Sequence, residues 1–331
     1  MSRKRAQSGP ENRSPGTGGG LPTGSTRQFT DHRELLFSIV YNMLGSVADT
    51  EDVLQETWLS WARRVRRAED DEITNPRAYL VRIAVNQALS RQESIRRRRE
   101  TYVGPWLPEP LLDPAVEAAA SQAADGAEQA LRTESVSMAL LVVLETLTPL
   151  ERAVFVLNEV FGYAHTEIAE AIERSPAAVR QIARRARSHV HARRPRYDTH
   201  PRVRQEVTER FVEAALGGDV DQLMQILAPE VTVWTDGGGK VRGAGLRPVH
   251  GRDRAAQMLA HYGTHRAHRE DVDVEYRTVG GDAAAVVFRG DSPYVVMVMD
   301  LTPEGDQVSD VYIVTNPDKL AGISPDGDPV E

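Results

Sequence analysis

The densest run of one-sided chemistry lies between Arg174 and Arg196, which hold eight arginines and no acid. The chain from His165 to Arg187 has the grammar of two short helices around a tight turn. Ile168, Ala169 and Ile172 face inward on the first, and Ala169 is small enough for a close helix crossing. Ser175 ends the turn and caps the second helix, with Pro176 at its first position. There Val179, Ile182, Ala186 and Val190 recur at helical spacing. The opposite face carries Arg180, Gln181, Arg184 and Ser188, with Arg185 and Arg187 at its flanks. Arginine can bond guanine O6 and N7 in bidentate fashion, and glutamine can do the same with adenine. Flanking arginines would meet phosphates, which supply affinity without sequence information. The segment therefore reads as a DNA-binding helix-turn-helix. The bland alternative is a basic helix solvated on one face; the small-residue turn, the Ser-Pro cap and the pure arginine bias argue against it. One departure is Ala164, which stands where a capping Ser or Asp is expected, a loss of ~1 kcal/mol.

Two other constellations invite chemistry. Asp236 follows the apolar run Val231–Trp234, where a general base could lie. Gly237, Gly238 and Gly239 come next, however, and their freedom at positive φ suits a tight exposed loop. No second carboxylate or imidazole is evidently partnered with Asp236, so no catalytic residue is assigned. His261, His265 and His268 could line one helix face, and two such histidines can bind zinc. Gly263 and Thr264 interrupt that pattern and no acidic ligand is near, so the stretch reads as a solvated His-rich loop. Neither a metal nor a cofactor is expected.

The elements that must position these residues fall into several units, as 331 residues allow. With no cysteine, disulfides, thiolate metal sites and cysteine nucleophiles are excluded. No stretch approaches the roughly 20 apolar residues of a membrane span, and the basic start lacks the apolar core of a secretory signal; a cytoplasmic location is expected, away from membranes. The net charge of −8 hides an asymmetry. Residues 101–173 hold 12 acids and two bases, and residues 205–331 hold 22 acids and 11 bases, a net of −11. A basic island sits between two acidic segments.

Residues 1–28, rich in Gly, Pro, Ser and Thr, read as a disordered tail. A helical domain is expected over residues 29–100. Its first helix runs from about Asp31 to Leu44, and Ser46 and Asp49 suggest a capping box for the second. Asn75-Pro76 supplies a cap and a first-position proline for the third. Residues 101–133 are Pro- and Ala-rich and read as a linker. A second helical cluster covers 134–196, with Thr148, Pro149 and Glu151 starting a helix inside it. Helices at about 202–216 and 219–227, followed by short β-type runs, predict an α+β domain with an antiparallel sheet over 202–322. A tail at 323–331 closes the chain.

The residues here resemble a family. Asp49, Glu51, Asp52, Val53, Gln55, Glu56, Thr57 and Trp58 look like sigma region 2.2. Asn75 to Leu80, followed by Arg82 to Asn86, look like regions 2.3 and 2.4, and Thr148 to Arg152 with the helix-turn-helix look like region 4. The chain thus resembles the two-domain extracytoplasmic-function sigma factors. Three further motifs resemble the subgroup with a fused SnoaL-like domain: Trp106-Leu107-Pro108-Glu109-Pro110, Asp236-Gly237-Gly238-Gly239-Lys240 and Asn316-Pro317-Asp318-Lys319-Leu320.

That resemblance implies a multidomain fold: two all-α sigma domains and a C-terminal α+β cone enclosing a pocket. It implies core RNA polymerase (β′ clamp helices and β flap) and promoter DNA as partners. Asp52, Gln55 and Glu56 would contact the polymerase. Asn86, with Arg82 and Gln87, would serve the −10 element, Asn86 lining the pocket for a flipped base. Arg180, Gln181, Arg184, Arg185, Arg187 and Ser188 would serve the −35 element. The three motifs would be regulatory contacts, and an unidentified small ligand could occupy the pocket. The function expected is an alternative sigma factor, not an enzyme, controlled in cis. Two rivals stand beside it: a SnoaL-like cyclase or isomerase with a DNA-binding arm, and a helix-turn-helix repressor.

Overall fold

The structure, a computed structural model, describes residues 23–67, 73–112, 136–193, 200–267 and 272–325. The expected tails lie largely outside these residues, but helix α1 already begins at Thr23 and runs to Leu44. The first helix is thus eight residues longer than its apolar stripe suggested. Helices α2 (Val47–Arg67) and α3 (Pro76–Glu100) pack against it. Ser46 Oγ accepts from the Asp49 N–H at 3.3 Å. Only half of the expected capping box forms, because Arg91 and Arg98 take the Asp49 carboxylate instead. Asn75 caps α3 as expected, accepting from the Ala78 N–H at 3.0 Å.

Beyond the linker come α4 (Met138–Leu144) and α5 (Pro149–Phe155), the latter continued by a π-helical turn over Val156–Val160. Then follow α6 (His165–Ala171) and α7 (Pro176–Arg193). Thr148 and Glu151 form the full capping box, each side chain bonding the other's backbone N–H, at 3.3 and 3.2 Å. Thr148→Ala should lower the melting free energy by about 1 kcal/mol; calorimetry showing no loss would mean that tertiary packing alone sets this helix start. One hydrophobic core joins the two helical domains, with Leu36, Ile39, Leu80 and Ala84 meeting Leu144, Val154, Val156 and Ile168.

The C-terminal domain begins with α8 (Pro201–Gly217) and α9 (Val220–Ile226). Strand β1 (Leu227–Asp236) precedes β2 (Val249–His250) and α10 (Arg252–Ala267). Strands β3 (Asp273–Val279), β4 (Asp282–Arg289), β5 (Ser292–Leu301) and β6 (Val308–Val314) follow, then the single turn α11 (Pro317–Leu320). The sheet order is β2-β1-β6-β5-β4-β3. It is mixed, not antiparallel as expected: β1 and β6 run parallel, Asp236 opposite Val314. Local alternation marks strands but does not tell which distant strand a given one will join. His261 and His265 lie in a helix that runs through Ala267, not in a loop, while His268 lies outside the described residues. Gly263 belongs in that helix because a Cβ there would lie 1.8 Å from the Ala215 carbonyl oxygen, so only glycine permits the α8–α10 crossing.

Both faces of the sheet are buried. One carries Ala285, Val287, Met297 and Val311 under α8–α10. The other carries Val286, Phe288, Val296 and Val298, and it is covered by Leu107, Met138 and Ala139 from the linker and α4. The helical half of the chain thus completes the core of the C-terminal domain.

Candidate nucleic-acid interface and linker clamp

On α7 the inward residues Val179, Ile182, Ala186 and Val190 are buried, as their period requires. Arg180, Gln181, Arg184, Arg185, Arg187 and Ser188 are all exposed. They differ in what they touch. Arg187 pairs with Glu159 at 2.5 Å and Arg185 with Glu151 at 3.4 Å. Such exposed pairs contribute little, so both arginines can be recruited by phosphates. In place of the missing cap at Ala164, the Glu167 side chain accepts from the Ala164 N–H at 2.7 Å.

In the first domain Asp52, Gln55 and Glu56 lie exposed along one face of α2. Leu59, 54% exposed, extends that face by one turn. The sequence reading missed it, although an apolar residue three positions after Glu56 on a charged face was there to be noticed. A groove between α2 and α3 is lined by Glu56, Arg82, Ile83, Asn86, Gln87 and Arg91. Asn86 Nδ2 donates to Arg82 O and, across the domains, to Ala171 O at the end of α6, each at 2.8 Å. Gln87 spans the helix pair, accepting from Thr57 Oγ1 at 2.7 Å.

The three motifs converge, and the linker is no simple spacer up to Leu112; residues 113–135 lie outside the described ones. Glu109 is tied to the first domain: its N–H donates to Gly45 O at 3.0 Å, its carbonyl accepts from Tyr41 OH at 2.6 Å, and its carboxylate accepts from the Val47 N–H at 2.6 Å. Two residues earlier, the Leu107 N–H donates to Asp236 Oδ2 at 2.9 Å, and Lys319 Nζ donates to Leu107 O. Asp236 is wholly buried, although the glycines after it make the expected tight turn, with Gly238 and Gly239 at positive φ and Gly239 exposed. It also accepts from Tyr102 OH, from the Gly238 N–H at 3.1 Å and from Lys319 Nζ at 2.7 Å. Asn316 Nδ2 donates to Tyr102 OH at 2.8 Å, and Lys240 pairs with Asp318 at 2.5 Å. The glycines admit these contacts: a Cβ on Gly238 would come 2.6 Å from Asn316 Nδ2, and one on Gly239 2.9 Å from the Val103 Cβ. Pro317 opens α11, whose Leu320 is buried against the outer sheet face. Tyr102, which carries no motif signal, was not foreseen.

Burial shapes the electrostatics here. Desolvation pushes the Lys319 ammonium down to about 8, with Asp236 opposing the shift. Desolvation, reinforced by Asp236, drives the Tyr102 hydroxyl well above its ordinary value. The Lys319 ammonium lies 3.7 Å from the Trp106 ring centroid and Arg99 stacks on the same ring at 4.8 Å. A second buried node joins all the helical parts: Arg152 donates to Asn42 O at 2.9 Å and to Glu145 at 2.7 Å, and Arg99 also holds Glu145. Among the described residues no cluster of three potential metal-ligating side chains occurs.

Two helical domains, the second a helix-turn-helix with a basic outer face, define a sigma-type transcription factor. Family comparison agrees in all three parts: Sigma-70 region 2 matches residues 28–101, Sigma-70 region 4 matches 137–190, and a SnoaL-like domain matches 208–317. The chain is 32% identical over 304 residues to the ECF RNA polymerase sigma factor SigJ of Mycobacterium tuberculosis, covering 89% of this chain and 93% of that protein. It is 28% identical to the probable ECF sigma factor SigI of the same organism, covering 87% and 92%. The crystal structure of M. tuberculosis SigJ superposes with a TM-score of 0.67 at 28% identity, over 92% of this chain and all of that one. The chain belongs to the extracytoplasmic-function RNA polymerase sigma factors that carry a SnoaL-like C-terminal domain.

Proposed function

We propose that this sigma factor brings core RNA polymerase to −35 and −10 promoter elements, and that its C-terminal domain governs that act by holding the linker. Asp52, Gln55 and Glu56, with Leu59 beside them, meet the β′ clamp helices, while the region 4 domain meets the β flap. Arg180, Gln181 and Arg184 read the −35 bases and Arg185, Arg187 and Ser188 contact phosphates. Asn86, Arg82 and Gln87 serve the −10 element, whose extruded base enters the groove beside Asn86.

The observation that carries the regulatory part is the double anchoring of residues 102–109. Glu109 is bonded to α1 and α2, while Tyr102 and Leu107 are bonded to Asp236. A linker so held cannot lengthen, and the two helical domains stay packed with Ala171 O on Asn86. In this closed form Ala171 O occupies Asn86, so a base entering the groove there must displace the region 4 domain, and polymerase must open the closed form. The enzyme reading loses its candidate base, because Asp236 is buried in the clamp rather than set in a cavity.

The absence of cysteine allows a clean test. Ala78 and Glu170 line one cleft between the helical domains. Introducing Ala78→Cys and Glu170→Cys and joining them with a short bismaleimide should abolish run-off transcription, while each single variant transcribes. Cross-linked protein as active as the single variants would overturn the closed form, and no specific transcript from the unmodified chain would overturn the promoter reading.

A further inference from the structure

On the inner face of the C-terminal sheet lies a cavity of about 130 Å³. Its walls are almost wholly apolar, with Met258, Val287, Met297 and Ile313 among them. Among the described residues, the single charged side chain lining it is Arg289, whose guanidinium lies 4.0 Å from the Tyr294 ring centroid. Apolar cavities of about 150 Å³ take up a benzene ring. The space therefore suits one ring, and the stacked arginine suits a carboxylate on it. No carboxylate or imidazole lines the space among the described residues.

We propose that this cavity is a binding site for a small aromatic monocarboxylate, and that its occupancy loosens the linker clamp. The clamp and the cavity share their walls. Thr235 and Thr315 line the cavity, while their neighbours Asp236 and Asn316 hold the linker. Successive residues of a strand point to opposite sides, so a push on one side is felt on the other. The loop after Asp236 closes the cavity through Val241, Gly243 and Ala244, and Tyr262 OH pins it by donating to Gly243 O at 2.5 Å. That loop has no slack: a Cβ on Gly237 would lie 2.3 Å from the Ala244 Cβ. A ring that fills the space presses on this loop and on the ends of β1 and β6, where the Asp236 carbonyl accepts from the N–H groups of Thr315 and Asn316 at 2.8 and 3.0 Å.

The link to the clamp rests on the control in cis proposed above; the ligand site does not. The test uses the full chain with benzoate as probe and benzamide and toluene as uncharged comparators, followed by NMR titration. Benzoate should bind, benzamide on the order of tenfold more weakly, and Arg289→Met should remove the preference, as loss of a charge-assisted bond requires. At saturation the Leu107 amide should exchange faster by on the order of tenfold as Asp236 releases it. Absence of benzoate binding, or equal binding of benzoate and benzamide by the unmodified chain, overturns the site. Benzoate binding with Leu107 exchange unchanged overturns the link to the clamp. Control in cis has its own ligand-free test, in which Asp236→Ala is compared with the parent in run-off transcription.

Discussion

Asp236→Ala is expected to detach the linker from the C-terminal domain at a cost of about 3–5 kcal/mol, the range for removing one partner of a buried ion pair. Four donors lose their acceptor at once: Tyr102 OH, the Leu107 and Gly238 N–H groups, and a Lys319 ammonium whose side chain is only 8% exposed. Denaturant unfolding should resolve an early transition that the parent lacks, with Leu107 among the first amides to exchange. Asp236→Asn combined with Lys319→Met removes both charges and should recover much of the loss, since two absent charges need no desolvation. A single variant as stable as the parent would show that the clamp contributes nothing. The same pair gives docking a pH dependence. The Lys319 amine is held down to about 8 when docked, against an ordinary value near 10.5. Between these values the undocked chain binds more protons, so docking should strengthen as pH rises from about 8 to 10. Lys319→Met should remove that part of the slope.

Much of this was legible in the sequence because it is local. The caps at Asn75, Thr148 and Ser175 and the inward stripe of α7 depend on neighbours within one or two turns. The β6 boundaries at Val308–Val314 matched the apolar alternation for the same reason. What failed was long-range. The three glycines make the turn they announce, but nothing nearby tells that Asp236 before them will be buried under Tyr102, Leu107 and Lys319. The same glycine run serves close packing as well as flexibility, and only tertiary contacts decide between them. The Pro and Ala content of the linker tells nothing of its packing, and the resemblance alone marked Trp106 to Pro110 as contacts; Leu107 is fully buried and Glu109 makes three hydrogen bonds with the first domain. Parallel pairing of β1 with β6, 72 residues apart from Asp236 to Val308 in the chain, leaves no periodic trace.

Arg180→Ala with Arg184→Ala should remove recognition of the −35 element without harming the fold. Both side chains are exposed on α7 and stand outside the buried stripe of Val179, Ile182, Ala186 and Val190. Each good bidentate contact to a base is worth about 1–3 kcal/mol of discrimination, so the double variant should lose roughly 2–6 kcal/mol on the cognate promoter. Arg185→Ala and Arg187→Ala make the contrast. Their exposed guanidiniums rest on the half-buried Glu151 and Glu159 and can exchange those partners for phosphates. Each should weaken cognate and unrelated fragments alike and lower the salt slope by about one. Holoenzyme binding to both fragments, followed by anisotropy over a salt series, separates the two classes. If the Arg180 and Arg184 variant weakened all sequences equally, α7 would bind the backbone alone, and promoter choice would pass to the groove beside Asn86.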